Sequence, residues 1–396
     1  MPMHKGILPR EGLCADVILK LVRRTLLNPN LLLPLILLAR YTKKGQDLSI
    51  LHPKAARRLR LLFYVAVARG LSGWFSDRVR NNWVGDKYDW SKEIVLITGG
   101  AAGIGAAIVK LLDELKVRVV VLDVQRMTYA ACKSTPVLCR SGHRTPAALH
   151  CRADNDSTAS RVSHFYCDIR SPANLAAVAE RVVGQIGHPT VVVNNAGVCR
   201  GKTILDATPE DVRFTFDVNA LAPFWVTKTF LPHMIAQNHG MVVTVSSFAS
   251  WLTVPNMVDY AASKAAVMSF HEGLSAELKT RYDAPRVRTV IVHPGATKTP
   301  LFAGFSQGPR FLLPEQEPES VAEAVVKQIL SGRSGQVIMP EAGGMLPALR
   351  AYPDWRSYRA RSRGQKSMLN FKGRQVIEDV AAPFETHDSV QPVSTA

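Results

Sequence analysis

The chain has 396 residues, 47% of them hydrophobic, and its 49 Lys and Arg against 32 Asp and Glu leave a formal net charge of +17. That length buries a sizeable core, which excludes a disulfide-stapled mini-protein, and six cysteines with neither even spacing nor a CxxC pair point to no disulfide framework and no metal site. The charge is segregated: residues 1–92 hold 17 basic against 6 acidic residues, 126–164 hold 6 against 2, 345–396 hold 8 against 5, and the remainder holds 18 against 19. A neutral core with basic appendages is not the pattern of a nucleic-acid enzyme, which lines its own cleft with Lys and Arg.

Residues 13–41 are apolar but broken by Lys20, Arg23, Arg24, Pro29 and Pro34. The cleanest run, Leu26 to Ala39, falls short of the roughly 20 residues that span a bilayer. A cleavable signal peptide fits poorly, because Glu11 and Asp16 precede the apolar block and no small-residue cleavage site follows it. From Leu59 onward, Leu62, Phe63, Ala66, Val67, Leu71, Trp74 and Phe75 recur at helical spacing behind Lys54, Arg57, Arg58 and Arg60. Such a stripe either packs on the protein's own core or lies in the headgroups of an anionic membrane or lipid droplet. Two apolar segments in tandem with cation clusters between them favour the lipid surface, so residues 1–91 are expected to form a membrane-associated helical extension.

At Glu93 the character changes. EIVLIT reads as a strand, GGAAGIG as a glycine turn and AAIVKLLDELK as a helix. Gly99, Gly103 and Gly105 permit a tight turn whose backbone N–H groups approach a pyrophosphate at the positive end of the helix. A second strand, VRVVVLD, ends in Asp123, about 20 residues beyond the turn, where a carboxylate accepts both ribose hydroxyls of an adenosine. That carboxylate repels a 2′-phosphate and so favours NAD, while the nearby Arg126 keeps NADP open.

Further along, Tyr260 and Lys264 share one face of an expected helix, and Ser247 closes the strand MVVTVSS thirteen positions before Tyr260. A free tyrosine has a pKa of about 10, too high for a base near neutrality, and an ammonium beside the phenol is expected to favour the phenolate. Ser246 is one position off and should face the other side of the strand. Together, TGGAAGIG (98–105), NNAG (194–197), YAASK (260–264) and HPGATKT (293–299) resemble the classical short-chain dehydrogenase/reductase family over roughly residues 92–345. The stretch FTFDVNALAPFWVTKTFLPHM is most similar to the membrane- and lipid-droplet-associated branch of retinol and hydroxysteroid dehydrogenases.

The resemblance implies an α/β fold, a Rossmann-type doubly wound parallel sheet in the order 3-2-1-4-5-6-7, forming a single catalytic domain. It implies that Tyr260 passes the proton, that Lys264 with Tyr260 holds the nicotinamide ribose, that Ser247 bonds the substrate oxygen and that Asn219 holds a relay water. It further implies that Ile104 packs under the cofactor, Asp168 contacts the adenine, Asn195 props the sheet beside it, and Thr297 and Thr299 reach the nicotinamide carboxamide. A homodimer through the helix carrying Tyr260 follows from the same resemblance.

Asp123 and Asp168 are 45 residues apart, whereas the resemblance implies about 20 to 25 between these strand ends. Residues 131–161 show no periodicity and read as an atypical disordered insert (126–163 in all), whose removal restores the normal separation, as a translated intron would explain. Its Cys132, Cys139, Cys151, His143 and His150 lack metal-finger spacing, so no metal is expected. Thr299 to Pro318, rich in Gly and Pro yet apolar through Phe302, Phe305, Phe311, Leu312 and Leu313, reads as a greasy substrate lid. Residues 346–396 read as a basic surface segment and a disordered tail. The expected activity is interconversion of a lipophilic alcohol (retinoid, steroid or long-chain lipid) and its carbonyl, at the endoplasmic reticulum or a lipid droplet, with the catalytic domain facing the cytosol. An NADPH ketoreductase of secondary metabolism and a non-catalytic lipid-droplet scaffold are the alternatives.

Overall fold

In the computed structural model residues 3–4, 6, 8–127, 129, 161–306, 311–373 and 375 are described. Apart from Arg161, the irregular insert 131–161, with its three cysteines and two histidines, lies outside the described residues, as does the tail beyond 375.

Four helices come first: α1 (Ala15–Arg24), α2 (Pro29–Tyr41), α3 (Lys43–Leu51) and α4 (Pro53–Arg80). The catalytic region follows as β1 (Ile94–Thr98), α5 (Gly103–Glu114), β2 (Arg118–Asp123), β3 (Val162–Tyr166), α6 (Pro172–Gln185), β4 (Val191–Asn194), α7 (Pro209–Phe216) and α8 (Ala222–Gln237). It is completed by β5 (Met241–Val245), α9 (Val258–Thr280), β6 (Arg288–Pro294), α10 (Pro318–Leu330), β7 (Gly335–Met339) and α11 (Asp354–Arg363). All seven strands are parallel, in the order β3-β2-β1-β4-β5-β6-β7. The β2–β3 pairing, Val119 opposite Val162, holds across the long insert between them.

Period-two side-chain alternation builds two cores from one sheet. Val95, Ile97, Val119 and Val121 face α5 and α10, while Ile94, Leu96, Val120 and Leu122 face α6, α8 and α9. Burial on both faces is why these strands read as continuous Val/Ile/Leu runs.

The N-terminal segment is tied to the catalytic region at both of its ends. Asn82 and Trp83 adopt left-handed backbone (φ 54° and 60°), turning the chain from α4 down to the sheet. The bend is held by Arg288, 1% exposed, whose guanidinium donates to Asn81 O (3.0 Å) and Val84 O (2.6 Å). Asn81 Oδ1 accepts from Ser334 N (2.9 Å) and Tyr88 OH donates to Gly240 O (2.7 Å), so residues 81–88 belong to the base of the sheet. At the opposite end, Asp16 caps residues 341–342: its carboxylate accepts from Glu341 N (2.8 Å) and Ala342 N (2.9 Å). Arg10 pairs with Glu323 at 2.7 Å and Ala15 N donates to Phe311 O in the lid at 2.9 Å.

The apolar stripe of α4 is divided. Ala66 is buried and Leu62, Phe63 and Val67 half-buried where α2 and α3 pack on this helix, whereas Leu71, Trp74 and Phe75 stay exposed. Leu31, Leu33, Leu35, Leu37 and Leu38 of α2 are also exposed. Among the described residues no single helix is long and apolar enough to cross a membrane; α1 and α2 pass that test only as a pair bent by 45°.

Replacing Arg288 with Met leaves the carbonyl of Val84 without its donor and that of Asn81 with Val84 N alone (3.1 Å). The expected cost is about 3 kcal/mol, read as a lower denaturation midpoint in urea; an unchanged midpoint would show that the bend stands without the guanidinium.

Candidate active site

The C-terminal ends of the parallel strands open onto one cleft of about 480 Å³ that runs from the glycine turn to the lid. At the first end, β1 passes into α5 through Gly99 and Gly103, both at positive φ (69° and 58°). Side chains do not fit here: a Cβ on Gly99 would lie 2.8 Å from Ala196 Cα, and one on Gly105 would lie 2.2 Å from Gly99 O. Asn195 staples the turn, its Nδ2 donating to Thr98 O (3.0 Å) and Gly99 O (2.9 Å). Thr98 Oγ1 accepts from Asn195 N and Ala196 N, both at 3.1 Å, a tie between β1 and β4 that no spacing in the sequence revealed.

Asp123 closes β2 beside this turn, nearly buried, with its oxygens accepting from Ala101 N (2.8 Å) and Gln125 N (2.9 Å). Asp168 also lines the cleft, but its carboxylate is matched by the Arg170 guanidinium, with Nη2 to Oδ2 at 2.8 Å. Arg126 is exposed and not among the lining residues. Ile104 borders the cleft in the first turn of α5. Thr297, whose hydroxyl donates to Gly295 O (3.1 Å), and Thr299 line its middle; Thr299 Cγ2 lies within 3.3 Å of where a Cβ of Gly103 would be.

Midway, β5 and α9 bring Ser247, Tyr260 and Lys264 together. Lys264 Nζ donates to Val245 O (2.9 Å) and sits 5.8 Å from the centre of the Tyr260 ring. Ser246 faces away, its hydroxyl donating to Lys264 O (3.1 Å). Asn219 lies in a π-helical turn, Asp217–Leu221, between α7 and α8. Such a turn marks an inserted residue in a helix and re-aims side chains. Here the Asn219 amide accepts from Val198 N (2.8 Å) and donates to Val198 O (2.9 Å) and Ser263 Oγ (3.0 Å). Ser263, inside the YAASK motif, in turn donates to Tyr260 O (2.7 Å), linking Asn219 to the helix that carries the phenol.

The electrostatics differ from the expected phenolate. Burial raises the Tyr260 phenol above its ordinary range, the neighbouring Cys199 adds to this, and a hydrogen bond with Ser247 only partly offsets it. Burial likewise pulls the Lys264 ammonium down to about 8. The ammonium spends a donor on a backbone carbonyl rather than the phenol, so desolvation outweighs charge attraction. The phenol therefore keeps its proton at neutral pH.

Two supports carried no expected role: Arg350, outside any motif, and His293, which opens HPGATKT. Arg350 donates to Ser250 O (2.9 Å) and Trp251 O (3.2 Å), gripping the loop after Ser247. His293, buried and held neutral by desolvation at about 4, stacks on Trp251 at 4.0 Å and places Nδ1 3.4 Å from Ser247 O.

The lid end is apolar, and the C-terminal segment covers it. Phe302 stands edge-on to Tyr260 at 5.6 Å and packs with Phe305 and Phe371. Ser306 N donates to Ser367 O (2.9 Å) and Lys372 N to Ala303 O (2.8 Å). Met368 is buried with Cys199, Met257 and Tyr260. Residues 346–375 thus roof the site through Leu346, Ala360, Arg363, Gly364, Ser367 and the buried Met368, while Trp355, Arg356, Tyr358, Arg359 and Arg361 are exposed.

The short chain dehydrogenase family model matches residues 135–309. Dehydrogenase RED2 of Cochliobolus heterostrophus is 40% identical over 224 residues, covering 56% of this chain and 75% of that protein. Epidermal retinol dehydrogenase 2 of Homo sapiens is 33% identical over 238 residues, covering 60% of this chain and 71% of its own length. A short-chain dehydrogenase structure from Streptomyces avermitilis shares the fold with a TM-score of 0.52 at 22% identity, covering 66% of this chain and 95% of the other. The chain belongs to the short-chain dehydrogenase family and is an oxidoreductase acting on CH–OH donors.

Proposed function

We propose that the protein interconverts a lipophilic primary or secondary alcohol and its aldehyde or ketone with a nicotinamide dinucleotide, NAD in preference to NADP, at a lipid surface. The observation that carries this reading is the single cleft that joins the glycine turn and Asp123, the Ser247–Tyr260–Lys264 cluster, and a phenylalanine-walled lid. The similarity to a retinol dehydrogenase supports the lipophilic substrate class.

The residues present fit a dinucleotide. Gly99 and Gly105 leave a cradle that a Cβ would fill, at the N-terminus of α5 where backbone N–H groups favour a phosphate. Gly99, Gly103, Gly105 and Ile104 would hold the pyrophosphate half, Asp123 and Asp168 the adenosine, Asn195 the turn, and Lys264, Tyr260, Thr297 and Thr299 the nicotinamide half. When bound, the nicotinamide supplies or accepts the hydride. The chain's own residues handle the proton. Ser247 and Tyr260 bond the substrate oxygen; the protonated phenol donates to that oxygen in reduction, and in oxidation the phenol first gives up its own proton to the relay so that the phenolate can take the proton of the substrate hydroxyl. Asn219, fixed by Val198 and Ser263, is placed to hold a water at the buried end of this relay. The preference for NAD rests on Asp123, since among the described lining residues the cation at that end of the cleft, Arg170, is matched to Asp168.

The lipid surface is met by α2 and the exposed half of α4, whose Lys54, Arg57, Arg58 and Arg60 are exposed. With α1 docked on the catalytic domain, these helices lie along the interface rather than through it.

Tyr260→Phe is expected to lower kcat by about a thousandfold, while NADH binding, followed by fluorescence, falls far less; turnover near wild type would remove Tyr260 from the chemistry. Asp123→Ser is expected to cut the preference for NADH over NADPH at least about tenfold in the same titration, and an unchanged ratio would place the discrimination elsewhere. Changing Arg57, Arg58 and Arg60 together to Gln is expected to weaken flotation with phosphatidylserine vesicles at least about tenfold, at about 1 kcal/mol per cation; equal flotation would detach the α4 cluster from membrane binding.

A further inference from the structure

The far end of the cleft, beyond Tyr260, is walled by Phe248, Leu252, Val254, Phe302, Phe305 and Leu313, and among the described residues one charged side chain, Arg363, borders it. The other charged lining groups lie elsewhere: Asp123, Asp168 and Arg170 towards the glycine turn, and Lys264 beneath the phenol. Arg363 makes no hydrogen bond, ion pair or ring contact among the described residues. Three other arginines of the segment are engaged: Arg356 covers the Tyr352 ring at 4.3 Å, Arg361 donates to Ser357 Oγ at 2.8 Å, and Arg350 grips the Ser247 loop; Arg359 is exposed like Arg363 but lies outside the cleft lining.

Nor is the position loose. The next residue, Gly364, lies so close to the opposite wall that a Cβ on it would come within 2.2 Å of Val254 Cγ1. Arg363 is therefore held at the rim where the C-terminal roof meets the wall, lining the cleft while remaining exposed. The plain alternative is a solvated arginine in the last turn of α11, favoured there by the helix dipole alone.

From this placement we infer that the lipophilic substrate carries an anionic group, a carboxylate, at the end remote from the reacting carbon, and that Arg363 pairs with it. The substrate class is a long-chain hydroxy or oxo acid. An apolar body fills the phenylalanine-walled chamber, the carbinol reaches Tyr260, and the acid stays at the wet rim, where a guanidinium binds it without either charge being fully desolvated. No carboxylate of the described lining residues competes at that end. The inference rests on the alcohol-oxidoreductase reading of the same cleft and adds the head group to it.

The test uses the full-length protein saturated with NAD+ and a fluorescent polyene fatty acid, cis-parinaric acid, beside its methyl ester. The acid is expected to bind at least about fivefold more tightly than the ester. Arg363→Gln should bring that ratio close to one, whereas Arg359→Gln, altering an exposed arginine of α11 outside the cleft lining, should leave the ratio as it is. Equal affinities for acid and ester, no binding of the acid, or equal losses in both variants would overturn the inference, the last by showing adsorption to the basic helix. NAD-linked oxidation of a neutral long-chain secondary alcohol, read at 340 nm, is measured alongside. Turnover there with a failed binding test removes the anion pairing alone; absent turnover counts against the oxidoreductase reading itself.

Discussion

A parallel sheet covered by helices on both faces has nowhere to place polar chemistry except at its strand ends. Here β1, β2, β4, β5 and β6 all finish at one edge, and each delivers something there: Gly99, Asp123, Asn195, Ser247 and the Pro294–Gly295 turn. Everything else in the site consists of helices and loops attached to that edge. The bond from Lys264 Nζ to Val245 O shows how tightly they are attached, since it joins α9 to the last residue of β5 and sets the phenol beside Ser247.

The same edge explains what reading the residues in order achieves and where it stops. Gly99, Gly103, Asp123, Ser247, Tyr260 and Lys264 were visible because each belongs to a short run with a fixed spacing, and a local backbone shape dictates that spacing. Strand order and the turning away of Ser246 follow from periodicity and resemblance. The N-terminal docking was invisible, because Asp16 and Glu341 are 325 residues apart and the partner of the carboxylate is a backbone N–H, which leaves no trace in residue type. Arg288 was invisible for a similar reason: a basic residue opening a strand resembles a solvated one until the carbonyls of Asn81 and Val84 are seen around it. The protonation of Tyr260 could not be read either. Spacing predicts an ammonium nearby, but only three-dimensional burial shows that desolvation dominates.

The lid is unusual in being held from both directions of the chain. Phe311 is tied to Ala15 on one side, while Ala303 and Ser306 are tied to Lys372 and Ser367 on the other. Backbone hydrogen bonds make these ties, with Phe302, Phe305 and Phe371 packed together beneath them. The basic surplus counted along the chain fits this arrangement. Among the described residues it is carried by exposed side chains such as Lys54, Arg57, Arg58, Arg60, Arg356 and Arg359, outside the cleft lining.

Four glycines form the seam of the roof. A Cβ on Gly201 would strike Phe371 at 2.2 Å, one on Gly304 would strike Asn370 O at 1.9 Å, and Gly364 and Gly373 are just as tight against Val254 and Leu301. This seam also sets an order of assembly. The Rossmann half is complete once β7 has been synthesised, but the chamber has no ceiling until residues 364–373 arrive, and the cap that Asp16 provides waits through 325 residues for its partner. During synthesis the nascent chain thus passes through a stage with a finished dinucleotide cradle and an open, greasy chamber, and the exposed phenylalanines of that stage are what a chaperone or a nearby lipid surface would meet first.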